Sequence, residues 1–146
     1  MAGRPQKATV DYFSHDADAL HASDTLRIID GQYGNDGYAL WFKLLERISS
    51  TDNLIFDTRN SIKWRLFLTD VHLPEERVIK ILDDLASLDA IDSVLWQSRI
   101  IWVQKLVDRV ADVFRSRTGG KIPEKPQNTI PAPDNSILTP DNAIST

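Results

Sequence analysis

Hydrophobic and polar positions keep helical spacing along most of the chain, and the pattern is sharpest between Asn60 and Val103. Asn60 predicts an N-cap, and Ile62, Leu66 and Phe67 predict one apolar side for the helix that follows. The pattern breaks at Asp70-Val71-His72-Leu73, and Pro74 stands where a new helix can begin with no N–H to lose. From Glu75 to Leu88, the residues Val78, Ile81, Leu82, Leu85 and Leu88 fall on a single stripe. Burying those side chains contributes roughly 8–15 kcal/mol gross, an upper bound because an unfolded chain already hides part of that surface. Ala90-Ile91 and Ile100-Ile101-Trp102-Val103 predict two strands around a polar turn from Asp92 to Arg99. Inside that turn Ser93 predicts a single helical turn that folds Trp96 back on the core and leaves Arg99 exposed.

Upstream, Ser23 or Asp24 caps a helix carrying Leu26, Ile29 and Tyr33, and Gly34 ends it. Asn35 or Asp36 caps the next helix, whose inner face is Tyr38, Trp41, Phe42, Leu45 and Ile48, widened by Leu40 and Leu44. Asp52-Asn53 breaks that helix, and Leu54-Ile55-Phe56 predicts a short strand. Downstream, Val103, Leu106, Val107, Val110, Val113 and Phe114 keep the spacing of a last helix. The order of these elements describes a mainly α fold: a winged helix-turn-helix with an extra N-terminal helix, a C-terminal helix and a small three-stranded sheet.

The chain of 146 residues divides into a flexible arm (1–10), the winged-helix domain (11–117) and a tail (118–146). The tail holds five of the seven prolines and no sustained periodicity, so it reads as disordered. Without cysteine there are neither disulfides nor thiolate metal sites. No apolar run reaches the ~18–20 residues that span a bilayer, and the N-terminus lacks the apolar core of a signal peptide. A cytoplasmic protein with no membrane contact is expected.

Chemistry is sparse. Asp11, His15, Asp16, Asp18, His21 and Asp24 crowd together but match no ligand frame, so capping and turns explain them better than a metal. The segment from Asp30 to Asp36 fails as part of a calcium loop: with Gly37 as the loop glycine, Gln32 and Gly34 fall at ligand positions and Lys43 where the closing Glu belongs. Thr118-Gly119-Gly120-Lys121 fails as a phosphate loop, with Ile122 in place of Ser or Thr. No nucleophile, base or carboxylate pair stands in a recognisable arrangement, so neither an enzyme nor a cofactor is expected.

A winged helix most often grips DNA, but the charge argues against the usual mode. Net charge is −4, and the presumed recognition helix sets Glu75, Glu76, Asp83 and Asp84 against only Arg77 and Lys80. Carboxylates entering a groove oppose the counterion release that drives nonspecific affinity. Candidate DNA contacts are Arg59, Lys63 and Arg65 around the preceding helix, Arg77 and Lys80, Arg99 on the wing, and Arg115, Arg117 and Lys121 at the end of the last helix. Gln104 to Lys121 is the most basic stretch, with five basic residues against two acidic.

Several segments carry a family likeness: Tyr12-Phe13-Ser14-His15-Asp16, Tyr33-Gly34-Asn35-Asp36-Gly37-Tyr38, Trp41 with Leu44-Leu45-Glu46, Ala90-Ile91-Asp92, Leu95-Trp96 and Ile101-Trp102. Over roughly residues 8–116 the chain resembles the N-terminal winged-helix domain of phage and prophage replisome-organiser proteins, which are DnaD-like. The resemblance implies a part in starting DNA replication, with self-association into a homo-oligomer, replication-initiation or helicase-loading partners, and weak DNA contact. It also implies that stronger DNA affinity belongs to a second helical domain, which this sequence is expected to lack. The alternatives are a phage transcriptional regulator that binds DNA as a winged-helix dimer and a pure protein-interaction module.

Overall fold

A computed structural model describes residues 7–117 and 119–127. The fold is mainly helical and carries one small antiparallel sheet. Residues 1–6, with the Gly3-Arg4-Pro5 part of the expected arm, and most of the expected tail lie outside the described residues.

The first half of the chain is a pair of helices pressed together. After a single turn, α1 (Ala19–Ala22), the Ser23 hydroxyl accepts from the Leu26 amide at 3.1 Å and starts α2 (Asp24–Tyr33). Gly34 ends α2 at φ 63°, ψ −146°, a conformation essentially restricted to glycine. α3 (Asn35–Ser49) begins at once, and neither Asn35 nor Asp36 supplies the expected cap, since Gly34 holds the capping position. Gly37 permits the close approach of the two helices: a Cβ there would lie 2.7 Å from Ile29 Cγ2 and 2.8 Å from the Ile29 carbonyl. The buried line of α3 runs through Leu40, Leu44, Leu45 and Ile48. The aromatics expected at its centre, Tyr38, Trp41 and Phe42, are only half-buried and sit at its edge. Two of them meet His15, whose ring stacks on Phe42 at 4.0 Å and whose Nε2 lies 3.1 Å from the Tyr38 hydroxyl.

The expected strand at 54–56 forms later and shorter, because Asp52–Leu54 takes a 3₁₀ turn held by the Asn53 amide donating to the Ala8 carbonyl. β1 is Phe56–Asp57, and it pairs antiparallel with β2 (Ile100–Ile101), Phe56 opposite Ile101 and Asp57 opposite Ile100. Between them come α4 (Ser61–Val71), α5 (Glu75–Ser87) and α6 (Ser93–Gln97). Asn60 caps α4 as expected, accepting from the Lys63 amide at 3.0 Å. His72 closes α4 in the left-handed region (φ 57°), and α5 starts after Pro74. The α5 stripe is as expected: Val78, Ile81, Leu82 and Leu85 are buried and Leu88 is half-buried.

One expectation fails here. Ala90-Ile91 is not a strand, so the sheet has two strands among the described residues rather than three. The Ala90 amide is bound to the Leu85 carbonyl at the end of α5, and the Asp92 side chain already caps α6 through the Leu95 amide. Only one rung is left to make, from the Asp92 amide to the Trp102 carbonyl at 2.9 Å. The polar turn that stands where a wing would be forms the helix α6, which buries Leu95 and Trp96. The single helical turn at Ser93, the inward Trp96 and the exposed Arg99 are all found.

α4 also turns a different face to the core. Phe67 and Val71 are buried, with Trp64 and Leu68 packed against the same core, whereas Ile62 and Leu66 stay about half exposed. α7 (Gln104–Arg115) buries Leu106, Val107, Val110 and Phe114, as its spacing predicted. Beyond it, residues 119–127 run back over the domain: Ile122 packs on the core, Pro123 is buried, and the Lys125 ammonium reaches Asp92 at 2.9 Å. One core therefore links the α2–α3 pair, the small sheet and α7, with Trp102, Phe56 and Phe67 among its largest buried side chains. Among the described residues no helix is long and apolar enough to cross a membrane.

Candidate nucleic-acid interface

The candidate contacts occupy the α4–turn–α5 unit, the α6–β2 corner and the end of α7, and the structure divides them by what they already hold. Five of them are engaged within the domain. Arg59 forms a two-pronged pair with Asp57, Nε to Oδ1 at 2.9 Å and Nη2 to Oδ2 at 2.8 Å. That bond to Asp57 holds the guanidinium more firmly protonated, against the opposing effect of burial. Arg77 donates to Asp36 at 3.1 Å, its guanidinium 5.4 Å from the centre of the Tyr33 ring. Arg99 lies 4.5 Å over the Trp96 ring and 3.7 Å from Asp83. Arg115 pairs with Asp112, and Arg117 donates to the Lys7 carbonyl over the Phe114 ring.

Lys63, Arg65, Lys80 and Lys121 are exposed, and their charged groups have neither hydrogen-bond nor ion-pair partners among the described residues. They do not form one face: Lys63 and Arg65 share α4, Lys80 is alone on α5, and Lys121 follows α7. The basic stretch from Gln104 to Lys121 is likewise dispersed, because Arg109 reaches across the surface to bind Asp16 at 2.5 Å and the Ser14 carbonyl at 3.3 Å. The Arg109 guanidinium holds the Asp16 carboxyl below its usual range.

α5, the presumed reading helix, is built into its surroundings by its charges. Glu75 accepts from the Trp64 indole at 2.9 Å, and Asp83 accepts from the Trp96 indole at 2.7 Å. Asp84 accepts from the Tyr33 hydroxyl, and burial together with that bond pushes the Tyr33 phenol up to about 12. Glu76, Lys80 and Asp83 remain on its exposed side. That mixed acidic surface offers neither a row of base-reading Arg, Asn or Gln nor a continuous positive field.

The crowded Asp and His residues near the N-terminus do not converge on a cation: among the described residues no group of three such side chains could hold a metal. Three of them, His15, Asp16 and Asp24, instead border a cavity of about 490 Å³ between residues 13–26, α3 and α7. Its floor includes Leu26, Trp41 and Leu106, and its rim carries His15, Lys105 and the Asp16–Arg109 pair. The spacing gave no sign of this cavity, and it assigned the exposed side of α4, Ile62 and Leu66, to the core. The cavity depends on contacts between distant segments, which no local pattern announces. The side that the core takes, through Trp64, Phe67, Leu68 and Val71, was present in the spacing as a second apolar line.

These features define a helical domain with a two-stranded sheet and its charges largely spent on itself. The family model described as Lin1244/Lin1753-like, N-terminal, matches residues 12–106, and the chain belongs to that family. The matched residues take in α1 to α6 and both strands. No curated protein and no solved structure matches the chain.

Proposed function

We propose that the domain is a winged helix used for protein binding, serving as a replisome-organiser-like adaptor in the initiation of phage or prophage DNA replication. It works by self-association and protein partners, with weak DNA contact. The winged-helix reading is supported by the succession α3, β1, α4, α5 and β2, and by the lone Asp92–Trp102 rung where a third strand would pair. The replication role is supported by the sequence resemblance over residues 8–116.

One observation favours partner binding over groove reading. The helix that would enter DNA has Arg77 committed to Asp36 and Tyr33, keeps acidic side chains on its open side, and has a tucked-in helix where a wing would reach for phosphate. With Lys63 and Arg65, Lys80, and Lys121 on separate parts of the surface, only about one to three phosphates could be neutralised at once, so few counterions leave the DNA and the salt dependence of any binding is shallow.

A gel-shift series at rising salt tests the reading, alongside crosslinking to a replicative helicase and to origin-binding initiation proteins. Expected are weak binding with no preferred sequence, a log–log salt slope of about −1 to −3, and specific crosslinks to an initiation protein. Replacing Arg115, Arg117 and Lys121 by alanine weakens the DNA binding further. Tight binding to a single site with a steep slope, or no crosslink to any initiation protein, would overturn it.

A further inference from the structure

α4 carries two apolar lines on opposite sides. Trp64, Phe67, Leu68 and Val71 recur at helical spacing and face the core, Phe67 completely. Ile62, Arg65, Leu66 and Thr69 repeat the same spacing two residues earlier, which at 100° per residue places them on the far side. There Ile62 is 50% and Leu66 48% exposed, adjacent large aliphatic side chains one helical turn apart. Lys63 and Arg65 flank them, exposed, their charged groups without partners among the described residues. No carboxylate occurs from Ser61 to Thr69; of the nearest acids Asp57 is paired with Arg59 and Asp70 with Arg47, while Glu75 keeps its charge and accepts from the Trp64 indole. On a protein of net charge −4 this is a local +2 surface with an apolar centre.

We infer that the outer face of α4 docks an acidic amphipathic helix of a partner protein, whose aliphatic side chains cover Ile62 and Leu66 while its carboxylates pair with Lys63 and Arg65. Three features of the surface select this occupant. A nucleic-acid backbone would satisfy the cations but leave two aliphatic side chains wet beside phosphates. A second copy related by a twofold axis would set Lys63 and Arg65 against their own equivalents, a repulsive arrangement. An acidic helix satisfies both parts at once, with apolar anchors in the middle and charge pairs at the rim that steer and orient it. The inference deepens the adaptor reading and rests on it, since it names the surface by which a partner is held.

The test uses the full chain and a synthetic helical peptide of about 18 residues, with leucines at helical spacing, flanking glutamates and a fluorescent label read by anisotropy. A second peptide replaces the glutamates by lysines. The acidic peptide is expected to bind saturably, at least about tenfold more weakly to Leu66→Glu, more weakly to the Lys63→Glu/Arg65→Glu variant, and unchanged to Lys80→Glu. The lysine peptide is expected to prefer the charge-reversed variant over the wild type. All substituted side chains are exposed, and circular dichroism confirms that each variant stays folded. Absence of saturable binding, binding indifferent to Leu66→Glu, or failure of the charge swap overturns the inference. So does self-association abolished by Leu66→Glu in sedimentation, which makes the face a contact between copies. Duplex DNA binding that needs Lys63 and Arg65 but not Leu66 also overturns it. None of these results bears on whether an initiation protein crosslinks to the chain, so the adaptor reading stands or falls separately.

Discussion

The Tyr33 hydroxyl on α2 donates to the Asp84 carboxylate on α5, tying the first helical pair to the helix that would read DNA. Burial first, and the bond to Asp84 second, push the Tyr33 phenol from 10.0 up to about 12. The folded state therefore holds this proton more tightly than the unfolded chain. Its contribution is whole below pH about 10 and is lost as the pH climbs through about 12. A phenolate absorbance titration is expected to show a late step near pH 12 that Tyr33→Phe removes. At neutral pH the same substitution lowers stability by about 1–2 kcal/mol in denaturant unfolding, since it leaves a half-buried carboxylate short of a donor. A wild-type titration without the late step would mean the bond is not kept in solution.

The two sides of α4 make opposite demands on alanine. Phe67→Ala empties a fully buried site that contacts Phe56 edge to face, and is expected to cost about 3–5 kcal/mol. Leu66→Ala, one residue earlier and half exposed, is expected to cost less than about 1 kcal/mol. Urea unfolding of the two variants decides between the faces. Equal losses would show that the helix is rotated from the position described.

Asp92 joins three parts of the chain: its carboxylate accepts from the Leu95 amide, its amide donates to Trp102, and its other carboxylate oxygen meets Lys125. Burial opposes its charge, but the Leu95 amide and the Lys125 ammonium prevail and hold the carboxyl below its ordinary range. Its contribution is present above the ordinary aspartate range and fades as the pH falls through the lowered folded value. Asp92→Ala is expected to cost about 1 kcal/mol as a lost cap and to expose residues 119–127 to protease. Lys125→Ala is expected to reproduce the protease sensitivity with little loss of stability. A protease pattern unchanged in both variants would detach that segment from Asp92.

Elements whose residues state their own geometry were legible in the sequence. Asn60, Ser23 and Gly34 marked helix ends where they occur, and the Val78-to-Leu85 stripe gave α5 its buried side. What escaped depended on competition. Ala90-Ile91 has strand-like residues, yet the end of α5 and the start of α6 claim its backbone first. On α4 both sides are apolar, so periodicity alone could not say which one the core would take. At the candidate interface, residue type located the cations, but only the folded chain shows that Arg59, Arg77, Arg99, Arg115 and Arg117 answer to neighbours already present.

The seam at Gly37 has a consequence for how the molecule comes together. Two consecutive helices joined at Gly34 close almost no loop, so their association costs little chain entropy and can be an early event. The rungs joining Phe56 to Ile101 require α4, α5 and α6 to be in place before they gain anything, which makes them late arrivals. Arriving late does not make the sheet the first to leave: Phe56, Ile100 and Ile101 are completely buried, so opening these rungs means opening the core itself.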